Sequence, residues 1–139
     1  MRELNIEALI ENLDTVLEFV NACIEDCPPK IQNQIGIAVD EIFSNIARYA
    51  YSPETGGAVV RIAVDEDITI EFEDSGVAYD PLSRGTPDLD APTEERVIGG
   101  LGIFMVRKLM DSVEYRREGN RNILVVKKWL HPVIEGGDV

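Results

Sequence analysis

The sequence predicts an α+β fold in which helices cover one face of a mixed, mostly antiparallel sheet, giving two layers. Apolar residues follow helical spacing in two early segments, alternate with a two-residue period later, and return only briefly to helical spacing. The resulting order is β-α-α-β-β-loop-α-β-β, which is typical of this architecture. With 139 residues, of which 45% are apolar, residues 1–139 are expected to form one domain.

The first part of the chain predicts one strand and two helices. Residues 2–6 alternate in polarity and indicate a short strand. Helical spacing follows over about 10–26 and again over about 29–50. The pair Pro28-Pro29 ends the first helix and can begin the second, because proline is tolerated in a first turn.

The second part predicts two hairpins, separated by a long loop and a short helix. The loop, residues 81–100, contains three prolines and three glycines and has no periodicity. A loop of that length in a small domain is usually functional or mobile. The predicted strands are 58–64, 68–74, 113–117 and 122–130, and the predicted helix is 103–110.

The net charge is strongly negative and unevenly distributed. The formal net charge of −13 argues against nucleic-acid binding, which requires a basic surface. Residues 1–95 carry 5 basic and 21 acidic residues, whereas residues 96–139 carry 8 basic and 5 acidic residues. The last third could therefore receive an anion or an acidic partner, or its charges are ordinary solvated ones.

The lengths of the apolar runs and the positions of the cysteines indicate the cellular compartment. No run reaches the roughly 18 residues of a membrane span, and the N-terminus does not resemble a signal peptide, so we expect no membrane association and a cytoplasmic location. Cys23 and Cys27 are predicted to be buried free thiols on a helix, because His131, the only histidine, lies too far along the chain to suggest a metal site.

A first group of polar residues lies on the second helix, in the run 40–45 followed by Arg48. Glu41 and Asn45 are four residues apart and therefore share a face that adjoins the apolar stripe. An asparagine oxygen suits Mg²⁺, and a carboxylate one turn earlier could orient or deprotonate an attacking hydroxyl. Taken alone, such a pair is more often a surface hydrogen bond.

A second group is Asp74-Ser75-Gly76, followed by Asp80-Pro81. Asp74 falls on the core face of its strand by the two-residue period, and a buried carboxylate needs a partner. It could accept a hydrogen bond from the exocyclic amine of adenine, whereas guanine would present an acceptor. Gly76 would let the backbone approach a ligand closely. The alternative is an Asx turn that ends the strand.

A third group is Gly99-Gly100-Leu101-Gly102, where the long loop meets the short helix. Glycines at a helix N-terminus expose backbone N–H groups, which can bind phosphates. The motif is not a P-loop, and a Rossmann fingerprint would require glycine in place of Met105 and a preceding strand. Taken alone, the motif could also be a flexible hinge.

The three groups occur in this order within about sixty residues, and together they resemble the GHKL superfamily of Bergerat-fold ATPases. More narrowly, the chain is similar to the anti-sigma-factor serine/threonine kinases. Residues 38–51 resemble the N-box with its N-x-x-x-H-A-Y ending. Residues 74–81 resemble the D-x-G-x-x-[FY]-D-P box, and residues 99–111 resemble the G-x-G-[LI] helix.

The resemblance implies specific roles. Glu41 would be the catalytic carboxylate and Asn45 the Mg²⁺ ligand, Asp74 would bind the adenine amine, and residues 82–98 would form the ATP lid. The implied nucleotide-binding set is Asn45, Arg48, Asp74, Gly76, Asp80, Gly100, Leu101 and Gly102.

This chain departs from the family pattern at three places. Tyr49 replaces the usual histidine, and the pair Val77-Ala78 stands where a second glycine is frequent. The lid lacks a lysine, so Arg84 or Arg96 would have to contact the γ-phosphate.

The function implied by the resemblance is an ATP- and Mg²⁺-dependent serine/threonine protein kinase. It would phosphorylate a small antagonist protein, the anti-sigma-factor antagonist, and would bind a sigma factor reversibly in a partner-switching system. A nucleotide-dependent binding module without kinase activity is the alternative. A histidine-kinase catalytic domain is a third interpretation, which would need a phosphoacceptor helix in trans. A homodimer involving the apolar first helix is also possible.

Overall fold

The computed structural model describes residues 1–78 and 100–130. Within them the predicted order of helices and strands is confirmed. The elements are β1 (Arg2–Glu7), a 3-10 turn (Ile10–Asn12), α1 (Leu13–Cys23), α2 (Pro29–Tyr49), β2 (Gly57–Val64), β3 (Asp67–Asp74), α3 (Gly100–Leu109), β4 (Ser112–Glu118) and β5 (Arg121–Trp129).

The bounds of two helices differ from those predicted. α1 ends at Cys23, and the backbone then turns, with the N–H of Cys27 donating to the carbonyl of Ile24 at 3.0 Å. Cys27 therefore lies in the connection before α2, not on a helix as predicted, and both thiols are free and half-buried rather than fully buried. α3 begins three residues earlier than predicted, at Gly100, so Gly100, Leu101 and Gly102 lie in its first turn.

The five strands form one sheet in the order β1-β2-β3-β5-β4. All four pairings that the structure describes are antiparallel, so this sheet is more uniform than the mixed sheet that the sequence predicts. β5 lies between β3 and β4, which places Asp74 directly opposite Asn122.

The helices pack on one face of the sheet, as predicted. β3 alternates between buried and half-buried residues along its whole length, and α2 buries residues three and four apart. α1, α2 and α3 contribute to the same apolar cluster as the strands. Its most deeply buried members include Val16 and Val20 of α1, Ile35, Val39 and Phe43 of α2, Val60 and Ile62 of β2, Ile70 and Phe72 of β3, Val106 of α3, and Val126 of β5.

Ion pairs connect the strands on the opposite face of the sheet. Arg61 on β2 contacts Glu3 and Glu71, and its Nη2 lies 2.9 Å from Glu73. Arg121 on β5 contacts the other oxygen of Glu73 at 3.1 Å. Burial alone would raise the pKa of Glu73, but the hydrogen bonds and charges of Arg61 and Arg121 outweigh it, so the pKa is lowered from its ordinary value.

None of the described helices combines the length and the apolar character that crossing a membrane requires.

We expect Glu73→Gln to lower the free energy of unfolding by about 1 kcal/mol at neutral pH, because it removes a charge that two arginines bind. The pKa of Glu73 is lowered on folding, so its stabilisation is present above about pH 4.5 and is lost as pH falls through the folded-state value. The difference between wild type and variant should therefore shrink in acid, as measured by urea unfolding at neutral pH and at about pH 3.

Glu114→Gln is the matched control, since Glu114 is exposed on β4 and forms no ion pair with another described residue. Its unfolding curve should match wild type at both pH values. A stability difference for Glu73→Gln that stays constant or grows in acid would contradict the assigned interaction.

Candidate functional site

A cavity of about 170 Å³ lies between the helical layer and the sheet, at the end of β3. An engineered apolar cavity of roughly 150 Å³ holds benzene, so this one can admit a flat aromatic ring. Most of its wall is apolar, and polar side chains enter it from α2, β3, β4 and β5. The apolar wall includes Ile42 and Ile46 of α2, Phe72 of β3, Ile103 of α3 and Leu124 of β5.

Asp74 is the buried charged residue of this wall. The alternation of β3 places it on the core face, as predicted, and only 7% of its surface is exposed. Its Oδ1 accepts two hydrogen bonds, from the N–H of Gly76 at 2.9 Å and from Nδ2 of Asn122 at 2.9 Å. Its Oδ2 accepts none from another described residue, and Asp74 lines the cavity. The Asx-type turn is therefore present, and it leaves one oxygen available to a ligand.

Asn122 is a member of the site that the sequence analysis missed. Its Nδ2 donates to Asp74 and, at 2.8 Å, to the carbonyl of Val77, and its Oδ1 accepts from the hydroxyl of Tyr115 at 2.6 Å and from Nη1 of Arg117 at 3.1 Å. One signal could have found it. Asn122 is in phase with the buried residues of its strand, so it is a polar side chain on a core face, as Asp74 is.

Arg117 lies on β4 and connects that strand to the site through hydrogen bonds. Besides contacting Asn122, its Nη1 donates to the carbonyl of Gly76 at 3.0 Å, and its Nε donates to the carbonyl of Gly119 at 3.2 Å. The side chain is exposed, so it covers the outer edge of the site rather than filling the core.

Glycine is required at position 76 because of a close contact within the protein, whereas the sequence predicted a close approach to a ligand. A Cβ at this position would lie 2.2 Å from the backbone oxygen of Ala50, at the C-terminal end of α2. The same carbonyl accepts a hydrogen bond from the N–H of Val77 at 3.0 Å. The close approach that glycine allows is therefore to a helix of the protein, and an approach to a bound base stays a prediction.

Tyr51 strengthens this junction between α2 and β3. Its hydroxyl accepts a hydrogen bond from the N–H of Ser75 at 2.7 Å and donates to the carbonyl of Gly57 at 2.7 Å. The Tyr51 hydroxyl thus connects the end of β3 to the start of β2 next to the end of the helix, through contacts that do not depend on a ligand.

α2 positions the predicted catalytic pair. Glu41 and Asn45 are both half-buried, and Asn45 lines the cavity. Neither side chain forms a hydrogen bond or ion pair with any other residue in the ranges 1–78 and 100–130. Arg48 is exposed and does not line the cavity.

The metal-ligating side chains in the described ranges fit Mg²⁺ only in combination with a nucleotide. These residues contain no group of three or more His, Cys, Asp or Glu side chains that could hold a metal ion. Mg²⁺ commonly keeps several waters and takes phosphate oxygens as ligands, so a single amide oxygen from Asn45 is a compatible protein ligand.

Residues 100–102 of the glycine motif lie in the first turn of α3, where backbone N–H groups lack helical partners. Gly100, Leu101 and Gly102 are helical, and Ile103 of the next turn lines the cavity, so this helix end adjoins the site. The prediction for Asp80, the lid over 82–98, and the arginines 84 and 96 lies outside the described residues.

Comparisons with known proteins show the family to which the chain belongs. The family model of the histidine kinase-like ATPase domain matches residues 6–128. The chain therefore belongs to the histidine kinase-like ATPase domain family. Its relatives include the serine-protein kinase RsbW of Bacillus cereus, 30% identical over 96 residues, and the protein of the same name from Bacillus thuringiensis subsp. konkukian, also 30% identical.

Both alignments cover 66% of this chain and 60% of the relative, so the chain spans less than two thirds of those proteins. Among solved structures, the histidine kinase domain of the Erythrobacter litoralis EL346 blue-light activated histidine kinase matches with a TM-score of 0.57 at 20% identity. That match covers 87% of this chain and 60% of the other, and it shows a shared fold. The predicted superfamily is confirmed, and the relatives are consistent with the narrower resemblance to serine kinases.

We expect Gly76→Ala to lower the free energy of unfolding by about 1–3 kcal/mol, because the new methyl group meets a backbone oxygen that cannot move away independently. Gly36→Ala is the matched control. A Cβ at Gly36 meets nothing within 4 Å, and alanine in a helix interior should stabilise by about 1 kcal/mol. Urea unfolding of both variants measures the difference, and equal stabilities would contradict the junction described above.

Proposed function

We propose that this domain binds ATP with Mg²⁺ and transfers the γ-phosphoryl group to a serine or threonine of a protein. The observation that carries the proposal is the environment of the Asp74 carboxylate. Its carboxylate is buried at the wall of an apolar cavity, one oxygen is saturated by protein donors, and the other accepts from no described residue. An acceptor fixed in this way matches a flat base that carries an amino group.

The base would lie in the apolar cavity, with its amino group toward Oδ2 of Asp74. Adenine presents a donor at this position and guanine presents an acceptor, so the carboxylate discriminates between them. Phe72 and Ile42, which line the cavity, supply apolar surface for the ring.

The phosphates would extend from the base toward α2 and the first turn of α3. Asn45 would give its amide oxygen to Mg²⁺, which when bound neutralises phosphate charge. Glu41, one helical turn earlier, would accept the proton of the attacking hydroxyl. The backbone amides of residues 100–102 would meet phosphate oxygens. Contacts from Arg48, Asp80 and a lid over 82–98 remain predictions.

The protein partners are proposed from the resemblance to the anti-sigma-factor serine/threonine kinases. The relatives named serine-protein kinases support a protein substrate, and a small antagonist protein with partner switching on a sigma factor is the form that we propose. A nucleotide-dependent binding module without transfer activity is the second candidate, and a variant of Glu41 separates the two. A homodimer and a cytoplasmic location stay predictions.

We expect wild type to bind ATP with Mg²⁺ and to bind GTP much more weakly, and Asp74→Asn to lower ATP affinity at least about tenfold. To keep accepting from Gly76 and Asn122, the new amide must direct its NH₂ group into the cavity, where it faces the adenine amine. Titration calorimetry of both proteins with both nucleotides measures this.

Asp67→Asn, at the other end of β3, is the matched control and should bind ATP as wild type does, because its carboxylate accepts from Thr69 and from no other described side chain. Unchanged ATP affinity in Asp74→Asn would remove Asp74 from the pocket. If wild type bound neither nucleotide, the proposed function itself would be wrong.

We expect Glu41→Ala to retain ATP affinity within about twofold while phosphoryl transfer falls by about 10²-fold or more, the usual contribution of a general base. Transfer is measured as slow hydrolysis of ATP and as label incorporated from γ-labelled ATP into proteins of a cell extract. Glu114→Ala on β4 is the control and should leave both quantities unchanged. Full transfer by the Glu41 variant would exclude this glutamate from the mechanism. A wild type that binds ATP without any transfer would favour the binding module.

A further inference from the structure

A groove lies between α1 and α2, apart from the cavity at the end of β3. Its volume is about 740 Å³, and it shares no lining residue with that cavity. The α1–α2 groove has one wall from α1 and the connection after it, and another from the first two turns of α2. Its lining includes Glu18, Ala22 and Glu25 on the first wall and Gln32, Asn33 and Gly36 on the second.

Gly36 is the residue that leaves the groove open. It lies in the interior of α2, where glycine destabilises a helix by about 1 kcal/mol relative to alanine. A Cβ at this position would meet nothing within 4 Å, and φ is not positive. The described part of the chain therefore gives neither a packing reason nor a backbone reason for glycine here. A helix of another protein that crosses α2 at Gly36 would give one, because the missing side chain lets the two backbones approach closely.

Gln32 holds the two walls of the groove in a fixed relation. Its Nε2 donates to the carbonyl of Glu25 at 3.1 Å and to the carbonyl of Cys27 at 2.8 Å. The start of α2 is thus fastened to the connection that follows α1. A groove that is formed before a partner arrives requires less ordering on binding, which favours affinity.

The groove is acidic. Glu18 and Glu25 are exposed on the same wall, about two helical turns apart, and neither forms an ion pair with another described residue. None of the described lining residues is basic, and residues 7–28 contain six acidic and no basic residues. Such a surface repels phosphates, nucleic acids and anionic membranes, and it attracts a partner that carries lysine or arginine.

We propose that the α1–α2 groove binds a basic amphipathic helix of a partner protein. A small residue of that helix would lie against Gly36 and Ala22, and two basic side chains seven residues apart would meet Glu18 and Glu25. Two helical walls accept a third helix by packing its ridges into the groove between them. Residues seven apart on a helix share a face and are about 10 Å apart, which matches the spacing of the two carboxylates. This interaction does not involve ATP, so it goes beyond the proposed phosphoryl transfer.

The test is an NMR titration of the ¹⁵N-labelled full chain without nucleotide, at low ionic strength, where exposed charges are least screened. The probes are three alanine- and glutamine-rich helical peptides of about twenty residues. One carries two arginines seven apart, the second carries them five apart and hence on different faces, and the third carries glutamates seven apart. The first peptide should shift the amide signals of both groove walls. It should bind about threefold tighter than the second and about tenfold tighter than the third.

Variants separate a seated helix from a general attraction to negative charge. Glu18→Arg combined with Glu25→Arg should reverse the preference, so that the glutamate peptide binds more tightly. Gly36→Leu leaves the charge unchanged and fills the groove, and it should weaken the arginine peptide about tenfold. Urea unfolding should show no loss of stability in this variant, because its side chain enters open space. Glu114→Arg on β4 is the matched control for charge and should leave the preference for arginine intact.

Three results would overturn the inference. If Gly36→Leu binds the arginine peptide as wild type does, or if the two arginine peptides bind wild type equally, the attraction is general and no helix lies in the groove. If none of the peptides shifts the groove signals, the groove does not bind a basic helix. Because the titration contains no nucleotide, each of these results leaves the proposed ATP binding untouched, and a failure of ATP binding leaves this inference standing.

Discussion

The burial of the Asp74 carboxylate is the constraint on which the site depends. A carboxylate taken out of water destabilises the fold unless hydrogen bonds replace its hydration. Two elements supply them, the turn at Gly76 and the first residues of β5, where Asn122 lies opposite Asp74 in the antiparallel register. A slip of one residue between these strands would move Asn122 to the other face of the sheet, so the carboxylate and the strand register stabilise each other.

The same turn connects the Asp74 end of the site to α2. The N–H that Gly76 donates to Asp74 lies in a segment whose next residue, Val77, donates to Ala50 at the end of the helix. Asn45 lies little more than one turn earlier on that helix. The helix α2 and the contact between Gly76 and Ala50 therefore set the distance between the Asp74 carboxylate and the Asn45 amide.

Local patterns in the sequence predicted the fold and part of the site. The two-residue period placed Asp74 on the core face, the helical stripe placed Glu41 and Asn45 beside the core, and the glycines marked the start of α3. Non-local contacts were not predictable in this way. Nothing in the periodicity of β3 or β5 states that they are neighbours, so the contacts of Asn122 and Arg117 with the turn after β3 were missed. The reason for Gly76 was missed because it lies in the backbone of Ala50, which is distant in sequence.

The polar side chains at the two ends of the site differ in how many hydrogen bonds they form with other described residues. At the Asp74 end, hydrogen bonds from Gly76 and Asn122 hold the carboxylate in place at the wall of an apolar cavity. At the α2 end, Glu41 and Asn45 are half-buried and bind no other described side chain. An acceptor held in a fixed position suits the recognition of one base, because the same base must bind in every cycle. Groups without protein partners suit phosphates, metal and an acceptor hydroxyl, which arrive and leave, and whose binding would otherwise require breaking hydrogen bonds within the protein.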